Sequence, residues 1–180
     1  DTLNYKSGDG FKQIAYGKMN QLAVFLDSKG RCYSLPSHTL PSARSYGEPV
    51  SARLNPPDGV SFDGVMTGNE DTIYLLATDS GYGFMIKLED VYTKNRNGKA
   101  ILKVPNNANV LLPSKVNDIK NDWVAAVTSI GRMLMFPISE LTLLPKGKGL
   151  KIIQIPPAKF KSREEYVVAI TTMGETDNLI

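Results

Sequence analysis

Four short stretches set glycine beside lysine or arginine, a combination suited to a phosphate-bearing partner. They are Tyr5–Lys12 (YKSGDGFK), Ser42–Glu48 (SARSYGE), Thr93–Lys99 (TKNRNGK) and Leu144–Lys151 (LPKGKGLK). From Val91 to Lys103 the chain carries Lys94, Arg96, Lys99 and Lys103 with no acid, and from Leu141 to Lys151 it carries Lys146, Lys148 and Lys151, again with none. Glycine lets a backbone approach a phosphate closely, and lysine or arginine neutralises the charge there. The candidate phosphate contacts are therefore Lys6, Lys12, Arg44, Lys94, Arg96, Lys99, Lys146, Lys148 and Lys151. The competing reading is a set of solvated turns whose lysines keep sheet edges from pairing. Four loops in register favour duplex DNA over that reading.

Residues for covalent or metal chemistry are scarce. One histidine, His38, and one cysteine, Cys32, cannot make an ordinary zinc site, and a lone cysteine forms no internal disulfide. His38 has no partner in the sequence to orient it as a base. Glu70-Asp71 and Glu164-Glu165 read as solvated turn residues, and Trp123 and Cys32 as core. Tyr46 and Tyr92 lie close to basic loops, with packing as their expected role, and Arg31 and Arg132 could extend the basic surface. No catalytic, cofactor-binding or metal-binding residue is assigned.

The loops need a scaffold that repeats, and the sequence has one. Leu22–Leu35, Ile73–Lys87 and Trp123–Phe136 each read as an apolar run, a small polar turn, a glycine and a second apolar run, which is a hairpin pattern. Their glycines, Gly30, Gly81 and Gly131, recur about every fifty residues, and a branched aliphatic (Leu40, Val91, Leu141) follows each at a constant offset. Pro-rich breakers and shorter strand-like patches fill the intervals, giving about four strands per unit. Leu88–Val91 and Ile138–Leu141 can each form a single helical turn. A repeat of this length with four strands means an all-β propeller or a relative of one, since one blade cannot bury both its faces. A β-sandwich with chance self-similarity is the alternative.

We divide residues 1–180, a single domain, into approximate units: 1–21 (the tail of a preceding blade), 22–72, 73–122, 123–165 and 166–180. The last opens a further copy at YVVAITTMG, with Gly174 in register. The formal net charge of +3 is a mild basic lean that identifies no partner alone. No apolar run approaches the length of a membrane span, and no signal-peptide pattern is present. Asp1 in place of an initiator Met, and Ile180 in mid-pattern, point to an excised fragment, and the single cysteine fits a reducing compartment, the cytoplasm.

Six motifs in order carry a resemblance: YKSGDGF (5–11), VFLDSKGRCYSL (24–35), TLPSARSYGEP (39–49), SGYGF (80–84), GRMLMFP (131–137) and GKGLKII (147–153). Together they resemble the C-terminal domain of the A subunit of bacterial DNA topoisomerase IV, a relative of the DNA gyrase A-subunit tail. The match weakens from Pro156 onward. The resemblance implies a β-pinwheel, a propeller-like disc of four-stranded antiparallel blades that exchange strands, here as a broken or incomplete ring. It implies that the basic edge binds and bends duplex DNA, helping to present the transported segment and to set supercoil or crossing preference during strand passage. It also implies an A-subunit dimer working with the B subunit, with ATP and Mg used by other domains. No stretch matches the gyrase box Gln-Arg-Arg-Gly-Gly-Lys-Gly; Pro145–Gly149 is its nearest echo. This favours topoisomerase IV over gyrase-type wrapping. The family's catalytic tyrosine follows an arginine in another domain, and no Arg-Tyr pair occurs here. Two other classes stay open: a protein-interaction propeller, which needs an exposed apolar patch, and a propeller enzyme, which needs acids and histidines at a central channel.

Overall fold

The computed structural model describes residues 7–8, 10–42, 45 and 47–177. Its three largest hairpins stand where the glycine repeat places them. They are β1 (Leu22–Asp27) with β2 (Arg31–Pro36), β4 (Ile73–Thr78) with β5 (Tyr82–Lys87), and β8 (Trp123–Thr128) with β9 (Met133–Pro137). A later strand pairs antiparallel with the first strand of each hairpin: β3 (Phe62–Thr67), β7 (Ser114–Val116) and β11 (Val167–Met173). The expected single turns also form, as α1 (Leu88–Val91) and a 3-10 turn at Ile138–Glu140; α2 (Pro157–Lys161) and 3-10 turns at Ser37–Thr39 and Val50–Ala52 are further short helical pieces.

The second hairpin strand finds its outer neighbour in the following repeat. β6 (Lys99–Ala100) pairs with β2, and β10 (Leu150–Lys151) pairs with β5. The strand orders are β3-β1-β2-β6, β10-β5-β4-β7 and β11-β8-β9. Strand exchange thus ties each blade to the next by main-chain hydrogen bonds as well as by packing.

Alternation along the strands decides which blade each residue meets. Tyr74, Leu76, Phe84 and Ile86 face the first sheet and pack with Val24, Leu26, Cys32 and Met66. Leu75, Ala77 and Met85 face the other way and pack with Val124, Ala126, Val167 and Ile170 of the third sheet. The middle sheet is buried on both faces, so its strands read as unbroken apolar runs. The inner edges converge on a cavity of about 770 Å³ bounded by Ser61 and Asp63, by residues 109–114 and by residues 168–171.

Two sequence expectations change here. Val167–Met173, expected to open a further unit, lies at the inner edge of the third sheet, in the place of β3 and β7. Its run of β-branched residues suits either role, and its register against β8 sets the outcome. Trp123, expected in the core, is 42% exposed. With Met133 and Met135 it occupies a face of the third sheet on which no further sheet packs among the described residues.

Candidate nucleic-acid interface

The basic loop of the second repeat, Thr93–Lys99, is held by its own short side chains and by residues of the first blade. Thr93 N–H donates to Ser34 Oγ (3.2 Å), Asn95 N–H to Thr93 Oγ1 (3.1 Å), and Asn97 N–H to Asn95 Oδ1 (2.9 Å). Gly98 N–H donates to the Asn95 carbonyl, and Asn55 N–H to the Arg96 carbonyl. Arg31 grips the end of the loop: Nε donates to the Asn97 carbonyl and Nη2 to the Gly98 carbonyl, each at 2.9 Å. Gly98 has φ +71, and a Cβ there would stand 2.6 Å from the Tyr33 ring, so this turn needs glycine. Short side chains that satisfy nearby N–H groups hold such turns without a helix or ladder.

The loop therefore presents Lys94 and Arg96 from a fixed frame. Both are exposed, and neither makes a side-chain hydrogen bond or ion pair among the described residues. Lys99 is tethered, with Nζ donating to the Asp90 carbonyl at 2.6 Å. A groove of about 440 Å³ beside the loop is lined by Lys94, Asn95, Arg96, Thr39 and Arg53. Arg53 brings no net charge to it. Its guanidinium forks onto Glu48 at 2.8 and 3.0 Å and holds that carboxyl below its ordinary pKa.

The third repeat's loop is zipped onto this one. Gly147 N–H donates to the Ile101 carbonyl, and Lys103 N–H to the Gly147 carbonyl, both at 2.8 Å. Lys103, counted with the loop charge but not singled out as a contact, is thereby joined to Lys146 and Lys148. Gly149, at φ +80, lets the chain pass close to the second sheet; a Cβ there would overlap the Gly83 carbonyl. The Lys148 ammonium lies over the Tyr82 ring, 3.7 Å from its centroid, and Lys151 lies at 5.7 Å. The two adjacent loops thus gather Lys94, Arg96, Lys99, Lys146, Lys148 and Lys151 along the outer edges of the first two sheets.

The other candidates fall elsewhere. Lys12 lines the inner cavity, and its Nζ pairs with Asp63 Oδ1 at 2.7 Å and donates to the Phe62 carbonyl. Lys6 and Arg44, with Tyr46, lie outside the described residues. Arg31 and Arg132 act on the protein itself. Arg132 donates to buried Glu165 at 2.7 Å and to the Gln154 carbonyl at 2.8 Å, so Glu165 is no solvated turn residue. Tyr92 is half-buried and donates to the Gly68 carbonyl, a packing role. Buried Cys32 has its thiol pKa pushed up, chiefly by desolvation, and His38 is exposed on the 3-10 turn Ser37–Thr39. No cluster of three or more metal-ligating side chains occurs among the described residues. The sequence reading missed Tyr82; the signal available was its place directly after a hairpin glycine, where Arg31 and Arg132 stand in the other two hairpins.

Comparison with known proteins agrees with this architecture. The family model for the DNA gyrase C-terminal domain, beta-propeller, matches residues 73–117 and 122–172. The DNA topoisomerase 4 A subunit of Pseudomonas aeruginosa is 53% identical over 97% of the chain, and that of Escherichia coli K12 is 47% identical over 98%. The chain spans only 23% of either relative's length. Among solved structures, the E. coli ParC C-terminal domain superposes with a TM-score of 0.85 at 44% identity, over 96% of this chain and 70% of that one. A DNA gyrase A C-terminal domain shares the fold at a TM-score of 0.68 and 14% identity, over 95% of this chain and 54% of that one. With the strand-exchanging blades, these matches establish that the chain belongs to the gyrase A C-terminal domain family, as the C-terminal β-pinwheel type found in topoisomerase IV A subunits.

Proposed function

We propose that this domain binds and bends duplex DNA for the A subunit of a type II topoisomerase, neutralising phosphates without reading bases. The observation that carries the reading is the joining of two basic loops through Gly147 and Lys103, with Lys94 and Arg96 on a preorganised frame. Fixed cations at intervals along a curved edge suit a bent backbone. The parent protein would then use the domain to present the transported segment in ATP-dependent strand passage, decatenation and relaxation. It would do so in the cytoplasm, as an A-subunit dimer with the B subunit, with ATP and Mg used through its other domains and the B subunit. The absence of the gyrase basic box supports relaxation and decatenation over negative supercoiling.

A salt titration of duplex binding tests this. With about five phosphates contacted, log K against log salt should fall with a slope of about −4 to −5. A slope near zero would sink the proposal.

A further inference from the structure

We infer that Tyr82 is a positioning residue that seats the Lys148 ammonium for its phosphate; the inference rests on the DNA-binding reading above. The residue after the hairpin glycine is Arg31 in the first blade and Tyr82 in the second. Arg31 reaches the next repeat's loop through the carbonyls of Asn97 and Gly98. Gly149 corresponds to Gly98 in the repeat, so Lys148 corresponds to Asn97. The same place in the fold thus anchors the same loop position twice, with the polarity reversed. In the first blade the sheet supplies the cation and the loop a carbonyl. In the second the loop supplies the cation and the sheet an aromatic face, at 3.7 Å.

The reversal matters for a site that must keep its charge. A carboxylate would hold Lys148 equally well but cancel the charge a phosphate needs. A ring attracts the ammonium through its quadrupole and leaves the full charge in place. The backbone on either side of Lys148 is pinned at Gly147 and Gly149, but its side chain makes no hydrogen bond or ion pair among the described residues, so the ring is what orders it. A free lysine side chain must give up much rotamer entropy when it is immobilised, and a seat that orders it beforehand reduces that cost on binding. Lys151, at 5.7 Å from the same ring, extends the seat to a second cation.

The experiment compares Tyr82→Phe and Tyr82→Leu in the full chain, each with and without Lys148→Ala. Duplex affinity is measured at fixed low salt, and the Lys148 ε-methylene proton shifts are measured without DNA. Tyr82→Phe should keep affinity within about twofold, and the methylene should stay shifted upfield by the ring. Tyr82→Leu should lose the upfield shift and weaken binding about two- to fivefold, the size of an exposed cation–π contact. That loss should shrink in the Lys148→Ala background to the smaller part carried by the more distant Lys151. Tyr82→Met serves as a second variant if leucine loses the fold. Equal affinity for the Phe and Leu variants, tighter binding by the Leu variant, or the same loss without Lys148 overturns the inference while the function stands. An unaltered chain whose binding ignores salt overturns the functional reading and this inference together, whatever the proton shifts show.

Discussion

At the scale of single residues, a buried carboxylate organises the first blade. Asp27 is fully buried; its Oδ1 accepts the N–H groups of Lys29 and Arg31, and its Oδ2 accepts the Tyr33 hydroxyl at 2.8 Å. The site fixes both the turn before Arg31 and the ring against which Gly98 packs. Burial, then the hydrogen bond to Asp27, push the Tyr33 pKa up to about 12. Because the folded value lies above the unfolded one, this contribution to stability is fully present below about pH 10 and is lost as pH rises towards 12. Tyr33→Phe should therefore cost about 1–3 kcal/mol at neutral pH, since Asp27 loses a donor. The same variant should also show a smaller fall in stability between about pH 10 and 12; urea titrations across that range measure both. A steeper alkaline fall in the variant would contradict the assignment. Lys12 provides a second test at this scale. Its ammonium is committed to Asp63 at the inner cavity, so Lys12→Ala should change duplex affinity by less than about twofold.

At the scale of elements, hairpins were legible in the sequence and strand exchange was legible only through resemblance. The hairpins announce themselves by glycine turns between apolar runs, and all three lie within a residue or so of their expected bounds. β6 and β10 are two residues long and carry no apolar alternation of their own. Their pairing depends on what the preceding blade leaves open, which no local pattern reveals. The candidate site divides the same way: loop lysines are visible as charge, whereas the grips of Arg31 and Tyr82 arise only across repeats. Glu165 escapes a sequence reading for a related reason. It sits in a charged cluster typical of an exposed turn, but Arg132, which precedes it by about one β-hairpin and linker, draws it inward. Arg132→Leu should cost about 2–4 kcal/mol in urea unfolding, because it strands a buried carboxylate. Glu165→Gln should cost clearly less, as no buried charge is left unpaired.

At the scale of the whole molecule, the basic loops act through their shared edge. Replacing Lys94, Arg96 and Lys99 together by Ala should weaken binding to all duplex sequences about equally and make the salt slope shallower by about 2–3. Binding that becomes sequence-selective in this variant would point to base contacts instead. The uncovered face of the third sheet has an internal precedent. Trp123, Ala125, Val127 and Met135 take the repeat positions of Ile73, Leu75, Ala77 and Met85, by which the second sheet packs on the third. That face therefore carries, at the same repeat positions, the apolar residue types by which the second sheet meets the third. Strand exchange also has a consequence in time. When β2 leaves the ribosome, its outer partner β6 lies about sixty residues further along the chain. At about 5–20 residues per second that is an interval on the order of 3–12 s. During it the nascent blade has one edge open, and an open edge is a template for any neighbouring chain. Synthesis on crowded polysomes, rather than the finished fold, is where such a domain is most exposed to misassembly.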